Sequence, residues 1–107
     1  MKTKAVLTLP LPARRALKKL GSDLKDARKR RRIRAEVMAQ RAFVSRPTLA
    51  RAEAGDPSVS VGIYVTLLFL LGMVDRVADL ADARHDLIGQ SVETARLPKR
   101  IRESRHG

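Results

Sequence analysis

The chain has 107 residues, with 23 Lys and Arg against 11 Asp and Glu, a net charge of +12, no cysteine and no tryptophan. That length suits one domain, the lack of cysteine excludes disulfides, thiolate metal sites and a cysteine nucleophile, and 44% hydrophobic residues exclude wholesale disorder. The excess charge calls for a polyanionic partner, either nucleic acid or an anionic membrane.

Residues 1–12 read as an arm, extended or disordered, because AVLTL has β propensity while Pro10 and Pro12 forbid a helix interior. A first helix is predicted from Pro12, with Leu17, Leu20, Leu24 and Ala27 on one face. Gly21-Ser22-Asp23 predicts a break or bend in it, Ser22 capping the second half. The run Arg28 to Arg32 ends the helix, where cations suit the negative end of its dipole. A second helix is expected over Ala35 to Ala42, with Val37, Met38 and Ala42 inward. After the short link Phe43-Val44, Ser45 is an N-cap and Pro47 sits in the first turn of a third helix, Arg46 to Ala54, closed by Gly55. Asp56-Pro57-Ser58 is a turn, and Ser60 caps a fourth, apolar helix stopped at Gly72. A fifth helix is predicted over Val74 to Ala83, with Val77, Leu80 and Ala81 inward. Beyond Leu87-Ile88-Gly89 the pattern turns polar, and Pro98 is expected to stop any further helix. The expected organisation is an arm (1–12), an all-α domain of five helices (13–86) and a basic tail (87–107), both arms flexible or bound to a partner.

The charge is unevenly spread. Residues 1–34 carry a net +11, residues 35–54 only +1, residues 55–94 a net −4 and residues 95–107 a net +4. The longest apolar stretch, Val61 to Val74, has 14 residues, short of the roughly 20 that span a bilayer. No membrane association is expected, and the cytoplasm is the default location.

Ala35 to Ala54 has the spacing of a helix-turn-helix: two short helices joined by a turn of about three residues. Ala39 is small enough for the crossing, and Met38, Val44, Leu49 and Ala52 supply the interior that fixes its angle. The start of the second of these helices then projects Arg46, Thr48 and Arg51 toward a major groove. Arginine reads guanine through two parallel hydrogen bonds to O6 and N7. Ser45 and Thr48 suit phosphate or a base edge. Within the basic run, Arg30 is expected to touch phosphate, the other cations supplying long-range attraction.

SRPTLARAEAGDPSVS resembles the recognition helix and following turn of Xre-type, Cro/cI-like helix-turn-helix regulators, and the resemblance extends over Leu20 to Asp82. It implies a lambda-repressor-like fold, base contacts from Arg46 and Arg51, and Pro47 and Thr48 lining the groove. It further implies backbone contacts near Arg34, Ala35 and Ser45, and an ion pair between Arg28 and Glu53. More narrowly, GDPSVSVGIYVTLLFLLGMVDRVADLAD followed by LPKR is similar to HipB-like antitoxins found with HipA-like kinase toxins. That would imply a homodimer that represses its own operon at a palindromic operator and binds a kinase toxin. Two positions depart from the family. Phe43 occupies a turn position usually held by glycine, predicting either a strained φ or an altered turn. Pro47 replaces a residue that often reads a base through an amide, which shifts specificity onto Arg46, Thr48 and Arg51.

The competing readings are a stand-alone Xre-type regulator, phage or metabolic, a toxin-neutralising protein module with secondary DNA binding, and an RNA-binding protein. Three aromatic residues are too few for single-strand stacking platforms. His85 and His106 lack partners at metal-ligand spacing, and no glycine-rich phosphate loop or nucleophile–base pattern is present. No cofactor, no metal and no catalysis are expected.

Overall fold

The computed structural model describes residues 9–104, with side chains through Arg96. The N-terminal arm ahead of Leu9 and the last three residues of the basic tail lie outside the described residues, as do the side chains of residues 97–104. The described residues are all-helical, without a strand: α1 (Leu11–Arg30), α2 (Ala35–Arg41), α3 (Arg46–Glu53), α4 (Val61–Leu70), α5 (Asp75–Ala78), a 3-10 turn (Ala83–His85) and α6 (Leu87–Ser104). Val74 and Asp75 mark a division into two compact units.

In the first unit, Leu24 and Ala27 of α1, Met38, Ala39 and Ala42 of α2 and its end, Leu49 and Ala52 of α3, Val59, and Tyr64, Leu67 and Leu71 of α4 and its end are buried together. Apart from Tyr64 the core is free of aromatic rings, and it is rich in alanine, so the helices cross at short range. Ala39 and Ala52, both almost fully buried, permit α3 to lie close against α2 and α1.

The expected break at Gly21 does not occur: α1 runs unbroken for 20 residues and Ser22 is an exposed mid-helix residue. Gly21 serves instead as a point of close approach. A Cβ there would stand 2.5 Å from Gly55 N, 2.6 Å from Ala52 O and 2.9 Å from Glu53 O. Gly55 is its counterpart, since a Cβ there would stand 2.5 Å from Lys18 Cα and 2.7 Å from Leu17 O. The two glycines thus let the backbone of α1 touch the end of α3, and an entropic cost of about 1 kcal/mol for glycine in a helix is offset by that packing.

Helices α1 to α4 all end in the same paired bonds, in which a left-handed residue turns the chain back (Ile33 N to Arg28 O and Val44 N to Ala39 O, for example). Gly55 (φ 73°) and Gly72 (φ 81°) adopt this conformation without strain, whereas Arg32 (φ 55°) and Phe43 (φ 57°) adopt it with a side chain in place. Phe43 therefore takes the strained φ, and its ring is 93% exposed.

The second unit departs from expectation twice. The fifth helix stops at Ala78, and Leu80 and Ala81 are exposed rather than inward. Asp82 accepts the Arg84 N–H at 2.8 Å, and the Arg84 guanidinium pairs with Asp79 and Asp82 at 3.3 and 3.1 Å. Such local side-chain bonds compete with helix continuation, and with Arg84 beside it the Asp82 carboxyl is held below its usual range. Helix α6 then starts at Leu87, where Asp86 accepts the Gly89 N–H at 2.9 Å, and passes through Pro98 to Ser104. Proline removes one backbone bond and bends a helix; it need not end one already 11 residues long at that point. No described helix is long and apolar enough to cross a membrane.

Candidate nucleic-acid interface

Local chemistry fixes the start of α3. Ser45 has extended backbone angles, and its Oγ accepts the Thr48 N–H at 3.1 Å, satisfying one of the donors that a helix start leaves open. The Ser45 hydroxyl donates to Thr48 Oγ1 at 2.9 Å. Pro47 occupies the first turn, where its missing N–H costs nothing. Leu49 and Ala52 are buried, which turns Arg46, Pro47, Ala50, Arg51 and Ala54 to the exposed face. Thr48, half-buried, stands at the edge of that face and accepts from Arg51 Nη2 at 3.4 Å.

The axial and angular placement of this face depends on what holds α3 from behind. Arg28 and Glu53 form a bidentate pair, Nε to Oε2 at 2.7 Å and Nη2 to Oε1 at 3.0 Å, while Arg28 Nη1 donates to the Ile33 carbonyl at 2.9 Å. Both side chains are under a tenth exposed. The hydrogen bonds to Glu53, ahead of the opposing effect of burial, raise the Arg28 pKa further above its already high ordinary value, so the guanidinium stays charged. One linkage thereby joins the end of α1, the α1–α2 link and the last turn of α3.

The two exposed arginines each face a carboxylate. Arg46 Nη1 lies 3.8 Å from Glu36 Oε1, both side chains more than half exposed. Arg51 Nε lies 3.7 Å from Asp56 Oδ2, and here the acid is only 20% exposed. An open cleft of about 490 Å³ runs beside α3, lined by Lys25, Ala35, Arg46, Pro47 and Ala50, with the Arg28–Glu53 pair at its wall. Arg34, the residue preceding α2, is exposed and no side chain caps that helix. The structure thus places Arg34, Ala35, Ser45, Arg46, Pro47, Thr48 and Arg51 on α2, α3 and their entry turns, with Ala35, Arg46 and Pro47 around one cleft.

The basic run at the end of α1 separates into two parts. Arg28 is consumed by Glu53, and Arg31 donates to Ala27 O at 2.9 Å and to Leu71 O at 3.0 Å, strapping α1 to the end of α4. Lys29, Arg30 and Arg32 remain exposed. Lys25 and Ala50 were not among the sequence candidates. The signal for Lys25 was present, one turn ahead of Lys29 on a helix facing α3, and Ala50 is simply the outward residue between Arg46 and Ala54.

A family model described as a helix-turn-helix domain matches residues 19–83, more than half of the chain. No curated protein and no solved structure matches it.

Proposed function

Since the chain belongs to the helix-turn-helix domain family, a family of DNA-binding regulators, we propose that it is a sequence-specific repressor of transcription acting on duplex DNA. The outer face of α3 carries this reading: two arginines, a threonine hydroxyl and the small apolar surfaces of Pro47 and Ala50, beside a cleft with a basic rim. Arg46 and Arg51 read guanines, Thr48 reads a base edge, and Pro47 contributes shape and methyl contact in the groove. Arg30, Arg34, the start of α2 at Ala35, and Ser45 meet phosphates.

The protein acts as a homodimer on a palindrome, with half-sites about 34 Å apart, because one helix reads too few bases for tight binding. Val61 and Phe69 stand exposed on the uncharged helix α4, a surface suited to that pairing. Following the HipB-like resemblance, the protein is an antitoxin that represses its own operon and binds a HipA-like kinase toxin. It resides in the cytoplasm, on the nucleoid when bound, and is not an enzyme.

Selection of bound duplexes from a random pool at physiological salt tests the reading. The wild type is expected to enrich a two-fold symmetric sequence. Arg46→Ala should weaken binding by about 1–3 kcal/mol and relax one position in each half-site. Arg30→Ala should leave the sequence unchanged and lower the salt slope by about 1. Recovery of unselected duplexes by the wild type contradicts DNA reading; a uniform loss in Arg46→Ala contradicts that residue's role. Failure of a HipA-like kinase to co-purify with the protein would remove the antitoxin assignment alone.

A further inference from the structure

Arginine offers two hydrogen-bonding edges, the side edge of Nε and Nη2 and the end edge of Nη1 and Nη2. On α3 one of the two arginines has acceptors set along its side edge. Arg51 Nη2 donates to Thr48 Oγ1 at 3.4 Å, and Asp56 Oδ2 lies 3.7 Å from Nε. No described residue bonds the end edge.

Asp56 is itself held by its neighbours. Its Oδ1 accepts both the Ser58 N–H and the Ser58 hydroxyl at 2.8 Å, fixing the carboxylate by a local turn. Its backbone carbonyl accepts the hydroxyl of Tyr64 at 2.8 Å, and Tyr64 is a core residue of α4. Its own N–H closes the end of α3 by donating to Arg51 O at 3.0 Å. The carboxylate therefore sits at a place set by the core and by the end of the helix that carries Arg51. Glu36 faces Arg46 from an exposed side chain at 3.8 Å, and no described residue anchors it in this way.

We propose that Asp56 is a positioning residue for base reading: with Thr48 it occupies the Nε/Nη2 edge of Arg51 and leaves the Nη1/Nη2 edge as the fork that meets guanine O6 and N7. Arg51 is thus aimed before DNA arrives, whereas Arg46 is ordered on binding. The acid also makes Arg51 a poor ligand for stray phosphate, because a phosphate approaching the side edge meets a carboxylate. Sequence discrimination at the Arg51 position consequently exceeds what a free arginine gives. This rests on the reading of α3 as the recognition helix.

The test uses the full-length chain and Asp56→Asn, which keeps an Oδ1 acceptor for Ser58 and removes the charge. Affinity is measured by fluorescence anisotropy for the selected duplex and for the three single-base substitutions at the position that Arg51→Ala relaxes. Asp56→Asn is expected to lose about twofold to fivefold in discrimination at that position, the range of a partly exposed ion pair, with other positions unchanged. In the Arg51→Ala background the same substitution should change discrimination at that position not at all. Equal discrimination by wild type and Asp56→Asn overturns the proposal, as does an equal loss at every position or a loss that persists without Arg51. A wild type that selects no sequence refutes the DNA-reading assignment itself, and the positioning role with it.

Discussion

Gly21→Ala sets two physical effects of opposite sign against each other. Alanine is the better helix former by about 1 kcal/mol, so at a merely tolerated glycine the substitution would stabilise the protein. At Gly21 the added methyl would meet three backbone atoms of the α3 terminus, at 2.5, 2.6 and 2.9 Å, where ordinary contact begins near 3.4 Å. Backbone atoms cannot rotate away as a side chain can, so α1 and α3 must separate by most of an ångström. The separation loosens the packing of Leu24, Ala27, Leu49 and Ala52, which are essentially excluded from solvent. Overpacking of this kind costs about 3 kcal/mol at the upper end of its usual range, leaving a net loss of roughly 2 kcal/mol once helix propensity is counted. Urea unfolding followed by far-ultraviolet circular dichroism measures it, with the slope expected to stay constant. A midpoint equal to or above that of the wild type would refute the close-approach role. Because α3 carries Arg46 and Arg51, the folded variant should also bind the selected duplex less tightly.

Three further outcomes follow from the packing. Glu53→Gln leaves Arg28, a residue only 7% exposed, without its counter-charge and should cost about 3–5 kcal/mol in urea unfolding; Arg28→Met combined with Glu53→Gln should recover much of that loss, and additive losses would count against the pair. Phe43→Gly removes the side chain from a residue at φ 57° whose ring is exposed. Relief of about 1–2 kcal/mol of left-handed strain, set against roughly 0.5–1 kcal/mol of glycine entropy, predicts a midpoint equal to or above wild type; a lower one would mean that the ring has a partner. Burial, aided by the Asp56 charge, pushes the Tyr64 hydroxyl from 10.0 up to about 12. Its neutral form is thus favoured by folding: the contribution is intact below pH 10 and is lost as pH rises through 12, by roughly 2 kcal/mol. The stability advantage of wild type over Tyr64→Phe should shrink across that window, and a constant difference would show that the hydroxyl does not titrate with folding.

What the sequence revealed, and what it concealed, divides along the range of the interactions. The start of α3 was legible because Ser45, Pro47 and Thr48 act on each other within four residues, and its end because Gly55 is a local cap. Arg46, Thr48 and Arg51 were placed at the outer side of α3 by their positions relative to Ser45 and Leu49, Pro47 by the family resemblance, and Ala50 was missed. Gly21 misled because the same residue type serves as a helix breaker and as a contact point, and only the α3 backbone opposite decides between them. The basic run was legible as charge but not as its separate uses, since Arg31 is engaged by Leu71, 40 residues away. Leu80 fitted a helical face in spacing, yet the short-range bonds among Asp79, Asp82 and Arg84 ended the helix before it. Pro98 removes a single hydrogen bond, too little to end α6. The role assigned to Asp56 was invisible for the reason that Arg31 was: a turn residue became an aiming device only through Ser58, Tyr64 and Arg51 together.

The distribution of charge has a functional counterpart. Lys29, Arg30 and Arg32 are exposed, and on the proposed reading they would add phosphate affinity and steering that salt screens and that do not depend on sequence. On the proposed reading, discrimination would rest on an almost neutral segment in which Arg46 and Arg51 each have an acid beside them. Most directly, this separation is tested by the ratio of affinities, at physiological salt, for the selected duplex and for a scrambled duplex of equal length and composition. A ratio of about 10³ or more is predicted, collapsing toward unity when Arg46 and Arg51 are both replaced by alanine while the scrambled affinity changes little. Equal affinities of the wild type for the two duplexes would contradict the account.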